Sequence, residues 1–165
     1  MSKRIKKIYV DMDGVIADFE KKWIELYGLD PEMTHKHKKE GKERFKDFVM
    51  NREFAILDLM PDGESLIKYL DEKWNHVPIE ILSSTANEKW FETISQQKRI
   101  WLNKHDIGWK GNFVPGKSHK HEYAEPGYVL IDDDKQNIED WNKAGGIGIL
   151  HRDALTTIAL LKLYV

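Results

Sequence analysis

Short apolar runs alternate with helix-period segments along this chain, and that alternation restricts the fold more than any other feature. The runs are IYV at 8–10, IEILSS at 79–84, YVLID at 128–132 and GIGIL at 146–150, with NFV at 112–114 as a weaker fifth. Each is brief, rich in Val, Ile or Leu, and bounded by polar or glycine residues, as strands buried on both faces are. Between them, apolar residues recur at helical spacing. Ile16, Phe19, Trp23 and Leu26 share one face of 16–27, and Gly28 suits a helix stop. Leu66, Ile67, Leu70 and Trp74 do the same in 63–74, and Trp90, Ile94 and Trp101 in 87–105. Further helices fit 135–144 and 153–163. Such alternation implies βαβ units, hence a three-layer α/β fold with a parallel sheet covered by helices on both faces. The 165 residues suffice for a single domain with a real core.

One segment breaks the alternation. Residues from about 20–60 carry the charge-dense THKHKKEGKERFKDF and then the apolar FAILDLM, which together predict a small helical insert, a cap over the sheet edge. The basic run reads as a solvated helix face, because it includes glutamates and the whole chain has a formal net charge of -2. That balance gives no electrostatic case for binding membranes or polymeric nucleic acid. With no cysteine, disulfides and cysteine–zinc sites are excluded. The N-terminal MSKRIKK is basic, but the apolar run after it stops at Asp11, too short for a signal-peptide core. No stretch approaches a membrane span, so a soluble, cytoplasmic protein is expected.

In parallel sheets, ligands bind outside the carboxyl ends of the strands, beside the point where strand order reverses. Three of the expected strands end in residues suited to phosphoryl transfer. The first ends in Asp11, followed by Asp13 across a turn loosened by Gly14; the second in Ser83, Ser84 and Thr85; the third in Asp132, Asp133 and Asp134. Each acidic cluster alone would read as a helix cap or an Asx-turn. Brought to one edge, carboxylates from two strands repel one another unless a hard cation sits among them, and Mg²⁺ takes such oxygen ligands along with water and phosphate. His119 and His121 are two apart on a lysine-rich stretch with no acid or cysteine to complete a zinc set, so they are expected at the surface. Most of the six tryptophans fall on helix stripes; Trp109, between Gly108 and Gly111, does not.

In their order, DMDGVIADF, ILSS and VLIDDD resemble the three recurring motifs of the haloacid dehalogenase (HAD) superfamily of phosphohydrolases: D-x-D-G, a strand ending in Ser or Thr, and a strand ending in paired aspartates. The resemblance extends over essentially the whole chain. DMDGVIADFE, LDLMPDG, KRIWL and LIDDDKQNIEDWNKAGG look most like the 5′(3′)-deoxyribonucleotidase branch and its small phage and bacterial relatives.

The resemblance implies a Rossmann-like HAD fold and a Mg²⁺-dependent phosphomonoesterase working through an aspartyl-phosphate. Asp11 would be the nucleophile and Asp13 the acid and base. Asp11, the main-chain carbonyl of Asp13, and Asp132 would hold the metal, with Asp133 among or just behind them. Ser83 would bind the transferring phosphoryl oxygens, with Ser84 a second donor. The superfamily also needs a lysine. Lys98, three residues before Trp101, fits the nucleotidase pattern, with Lys117 as a phosphate-binding partner; Lys117 and Lys120 stand as alternatives for the lysine itself. Asp18 and Phe19 extend the first motif: Phe19 faces either substrate or core, Asp18 either substrate or helix entry, and Phe54 could close the pocket from the insert. The expected substrate is a (deoxy)ribonucleoside monophosphate. The other readings are a phosphatase of sugar phosphates or polynucleotide 3′ phosphates, and a non-catalytic phosphate-binding module. A response-regulator receiver fits less well, since there the paired acids follow the first strand and the phosphorylated Asp a later one.

Overall fold

A computed structural model describes residues 4–32 and 38–165. Its centre is a five-stranded, all-parallel sheet of β1 (Lys7–Val10), β2 (Ile79–Ser84), β3 (Lys110–Val114), β4 (Tyr128–Asp132) and β5 (Ile147–Leu150). The strand order is β3-β2-β1-β4-β5. The chain therefore runs outward from β1 to one edge, then crosses back to build the other half from β4. The reversal lies between β1 and β4, which pair from Lys7↔Tyr128 to Val10↔Ile131. The weak NFV signal belongs to β3, an edge strand that pairs with β2 alone.

The period of two sorts the strand residues onto two faces. Ile8, Val10, Ile81, Val129 and Ile131 face one layer, packing with Leu66, Leu70, Ile94, Trp101 and Leu161. Tyr9, Leu82, Leu130 and Val114 face the other, against Ile138 and Trp141. The helices are α1 (Phe19–Tyr27), α2 (Lys38–Met50), α3 (Gly63–Lys73), α4 (Phe91–Lys104), α5 (Lys135–Lys143) and α6 (Ala154–Lys162). The expected three-layer α/β architecture is what the chain adopts.

Two helices start later than their hydrophobic periods suggest. At α1, the carbonyl of Met12 accepts from the N–H groups of Val15, Ile16 and Ala17, a compact turn that consumes the residues before Asp18. Asp18 then caps the helix, accepting from Lys21 N at 3.2 Å. Gly28 ends it at φ 72°, donating to the Ile24 carbonyl. Leu26, expected on the buried face, is instead exposed. At α4, Asn87 Oδ1 accepts from Trp90 N, so the chain turns before Phe91 rather than coiling from 87.

Within the insert, helix α2 and a 3-10 helix at Glu53–Ile56 carry an aromatic cluster back to α1. Phe19 stacks on Phe54 with ring centroids 5.6 Å apart, and Phe48 meets both rings. Part of the basic run, residues 34–37, lies outside the described residues; the rest forms α2, with Lys39, Lys42 and Lys46 exposed. Trp109, unexplained by any stripe, donates to Asp71 Oδ1 at 2.8 Å and ties the approach to β3 to α3. No helix among the described residues is long and apolar enough to cross a membrane.

Trp101 joins the sheet layer to the insert: it is wholly buried, and its indole N–H donates to the Leu57 carbonyl at 2.7 Å. Truncation removes a large buried surface and orphans that carbonyl. Trp101→Ala is expected to lower unfolding free energy in urea by about 3–5 kcal/mol; a loss near that of a surface substitution would contradict this packing.

Candidate active site

Main-chain pairing continues past the strand ends and fixes where the acids sit. Asp11 N donates to the Ile131 carbonyl at 2.9 Å, and His151 N to the Asp132 carbonyl at 2.8 Å. Asp11 and Asp132 thus lie side by side at the carboxyl edge, beside the reversal of strand order, and both are buried. With Asp133 they offer three carboxylate oxygens within 4.8 Å of one another. Gly14 lets the third approach. It sits at φ 82°, and a Cβ there would stand 2.0 Å from Asp133 Oδ2.

Lys120 lies between the first two acids. From a 3-10 helix at Lys117–Tyr123, its buried ammonium reaches Asp11 Oδ1 at 3.0 Å and Asp132 Oδ2 at 2.8 Å. Burial alone would lower its pKa, but Asp11 and then Asp132 outweigh burial and raise it. Burial, then the charge of Asp132, push the Asp11 carboxyl well above the usual carboxylate range against the pull of Lys120. Desolvation, with the charges of Asp132 and Asp13, pushes Asp133 up to about 7. Asn137, on the first turn of α5, donates to Asp132 Oδ2 at 3.0 Å, and Asp134 N donates to Asp132 Oδ1 at 2.9 Å.

A second ammonium supports Asp13. Lys98 Nζ donates to Asp13 Oδ2 at 3.0 Å, to Ser83 Oγ at 2.6 Å and to the Ser84 carbonyl at 2.9 Å. It also stands 5.4 Å from the centroid of the Phe54 ring. The other oxygen of Asp13, Oδ1, is buried and has no hydrogen-bond partner among the described residues. Four carboxylates, Asp11, Asp13, Asp132 and Asp133, thus gather around two ammonium groups. The excess of negative charge is what a bound divalent cation would offset, and the all-oxygen donor set suits a hard one.

These groups open into a cavity of about 920 Å³. Asp11, Asp13, Gly14, Ser84, Lys117, Lys120, Asp132 and Asp133 line it, along with Phe19 and Phe54 on the insert side. The geometry parts from the sequence expectation in two places. Lys98 and Ser83 touch each other behind Asp13 and do not line the cavity, because alternation along β2 sends Ser83 into the packed layer and leaves Ser84 at the surface. The ammonium beside Asp11 belongs to Lys120, not to Lys98 or Lys117. Lys117 is exposed and pairs with Asp134 Oδ2 at 3.0 Å. Burial pushes Asp134 up, but the Asn137 N–H and Lys117 more than offset this and hold it below the usual range.

Asp18 serves as helix cap and also faces the cavity, and Phe19 likewise joins both core cluster and cavity wall. His119 lies beside Glu122, and His121 is exposed. Sequence reasoning missed Asn137, Arg152 and Met60, all on the cavity wall. Only Asn137 carried a signal: three residues past a capping aspartate, it sits on the first helical turn, facing the strand end.

The fold and the site define the chain as a HAD-type hydrolase, a conclusion the comparisons extend. It aligns with the structure of a hydrolase from Streptococcus pneumoniae TIGR4 at TM-score 0.56 and 16% identity, covering 98% of this chain and 100% of that one. It aligns with a HAD-superfamily hydrolase from Ehrlichia chaffeensis at TM-score 0.56 and 11% identity, covering 99% and 98%. At such identities the likeness is one of fold. The family profile described as 5′ nucleotidase, deoxy (pyrimidine), cytosolic type C protein matches residues 3–156. The chain belongs to that family and is a phosphomonoesterase. No curated protein sequence matches it.

The Gly14–Asp133 contact makes a specific stability prediction. Gly14→Ala should destabilise by about 1–2 kcal/mol from positive φ alone, plus the displacement of Asp133. Thermal unfolding of Gly14→Ala, Asp133→Ala and the double variant should be non-additive, with Asp133→Ala relieving part of the penalty. Additive losses would mean that the two residues do not meet.

Proposed function

We propose that this enzyme hydrolyses (deoxy)ribonucleoside monophosphates, using Mg²⁺ and an aspartyl-phosphate on Asp11. The observation that carries the reading is the convergence of Asp11, Asp13, Asp132 and Asp133 on one cavity floor with Lys120 wedged against the attacking carboxylate. Membership of a 5′-nucleotidase family supports the substrate class.

Asp11, Asp132 and Asp133 would hold the metal, together with the main-chain carbonyl of Asp13. Bound there, Mg²⁺ supplies positive charge that screens an anionic carboxylate from an anionic phosphate. The remaining steps fall to the chain. Lys120 fixes the Asp11 carboxylate at the floor and offsets charge on the transferring group. Asp11 attacks phosphorus and forms the P–O bond of the acyl phosphate while the bond to the nucleoside oxygen breaks.

Asp13 gives its proton to that leaving oxygen and afterwards takes one from the water that attacks the intermediate, which releases phosphate and regenerates Asp11. Lys98 holds Oδ2 and so orients the carboxyl group. Ser84 Oγ already accepts from Ala86 N, which leaves its own O–H to donate to a phosphoryl oxygen. Phe19 and Phe54 offer apolar surface for sugar or base. Lys117 acts at the rim.

The test is phosphate release from p-nitrophenyl phosphate and from a panel of 5′- and 3′-nucleoside monophosphates, deoxy and ribo. Turnover should cease with a chelator, return with Mg²⁺, and be absent in Asp11→Asn. Failure to hydrolyse any member of the panel with Mg²⁺ present would sink the proposal. Substitution should also rank the lysines. Lys120→Met should lower kcat by about a hundredfold or more and Lys117→Met by less than about tenfold. The reverse order would contradict the assignment of Lys120.

A further inference from the structure

A second cavity of about 750 Å³ abuts the first, and the two share Phe19, Pro31, Phe45 and Ala86 as lining. The first is already large enough for a mononucleotide, since sites for small ligands span roughly 300–1,000 Å³. The second is therefore surplus to the reaction described above. Its character differs as well. The catalytic cavity is floored by carboxylates, whereas among the described residues the second is rimmed by Lys42, Lys46 and Lys89 against the single acid Glu43.

Lys42 and Lys46 stand one turn apart on α2, so they share a face. Lys89 comes from the segment between β2 and α4, a different element of the fold. None of the three forms an ion pair among the described residues. Aromatic surface lies among them. Phe45 and Trp90 are only partly buried and line the cavity, and Lys89 Nζ stands 5.0 Å from the centroid of the Trp90 ring. Aromatic planes interleaved with unpaired cations are how proteins hold single-stranded nucleotides: bases stack on the rings while ammonium groups meet the phosphates. An acidic peptide would satisfy the lysines but leave the rings without a planar partner.

Resting on the nucleotidase reading, we propose that the second cavity binds the next nucleotide of a short 5′-phosphorylated single strand, so that the enzyme dephosphorylates the 5′ end of a dinucleotide in preference to a mononucleotide. The terminal phosphate occupies the carboxylate-floored cavity and the first nucleoside lies along Phe19. The 3′ phosphodiester meets Lys42, Lys46 and Lys89, and the second base stacks on Trp90. Only the terminal ester is cleaved: its phosphoryl group passes to Asp11 as the 5′ oxygen gains the proton of Asp13, water then releases phosphate from Asp11, and the internal phosphodiester is untouched. The solvated face of α2 expected from its basic sequence thus doubles as a substrate contact.

The experiment compares dTMP with the dinucleotide pdTdT in the presence of Mg²⁺. For the wild type, kcat/KM should be about tenfold or more higher for pdTdT. In Lys42→Ala/Lys46→Ala/Lys89→Ala, and separately in Trp90→Ala, the pdTdT advantage should shrink while dTMP turnover stays within about twofold. Equilibrium binding to the Asp11→Asn variant separates the two readings. There, pdTdT should bind more tightly than dTMP and with the steeper dependence on salt. Equal binding and equal kcat/KM for the two nucleotides, or a pdTdT advantage that survives the triple substitution, would overturn the inference while leaving mononucleotide hydrolysis intact. If wild-type enzyme turns over neither nucleotide yet Asp11→Asn binds pdTdT in a lysine-dependent way, the second cavity stands and the hydrolytic reading falls.

Discussion

The ammonium of Lys120, wedged between Asp11 and Asp132, is the contact on which the carboxyl edge of the sheet depends. Two buried carboxylates on adjacent strands repel one another in a medium that screens poorly, and neither has water enough to stay charged by itself. Lys120 supplies the positive charge, Asn137 and the Asp134 N–H donate to further lone pairs of Asp132, and Lys98 does a parallel service for Asp13. The balance is still incomplete, with four acids around two ammonium groups. A stable fold usually avoids that arrangement. Its presence at one cavity floor marks a place where structural economy yields to chemistry.

Topology explains why these groups meet. Because β1 is central and the chain builds outward on both sides of it, the ends of β1, β2 and β4 lie next to one another although Asp11 and Asp132 are far apart in sequence. The lysines arrive from connections, Lys98 from α4 and Lys120 from the 3-10 helix after β3. The insert adds the remaining wall. Its Phe54 stacks with Phe19 of α1, so a single aromatic cluster attaches the insert and shapes the cavity.

Much of this was readable in the chain. Strand ends are marked by abrupt changes from apolar to acidic or hydroxyl residues, so Asp11, Asp13, Ser84, Asp132 and Asp133 could be placed at one edge before any coordinates. The lysines could not be sorted the same way. Lys117 and Lys120 lie in a short 3-10 helix with no apolar period to say which faces inward, and the structure buries Lys120 while leaving Lys117 exposed. Lys98 was found through its spacing from Trp101, but that spacing gives the helix face and not the partner, which proved to be Asp13 rather than Asp11. Ser83 and Ser84 are chemically identical, and only the register of β2 against its neighbours decides which one reaches the cavity. Asp18, readable as either cap or ligand, caps α1 while facing the cavity, so both readings rest on real geometry.

The central claim is that Asp11 is the phosphoryl acceptor and that the surrounding charges exist to make it one. Acid-quenching a reaction with a nucleoside monophosphate at early times, followed by mass spectrometry of the peptide that carries Asp11, addresses this directly. The wild type and Asp13→Asn should also be compared on p-nitrophenyl phosphate, whose leaving group departs without the proton of Asp13, so that loss of the base slows chiefly the breakdown of the intermediate. A phosphoryl group on Asp11, accumulating further in Asp13→Asn, is the result predicted. Sustained phosphate release by the wild type with Asp11 unmodified in both proteins at every quench time would contradict it.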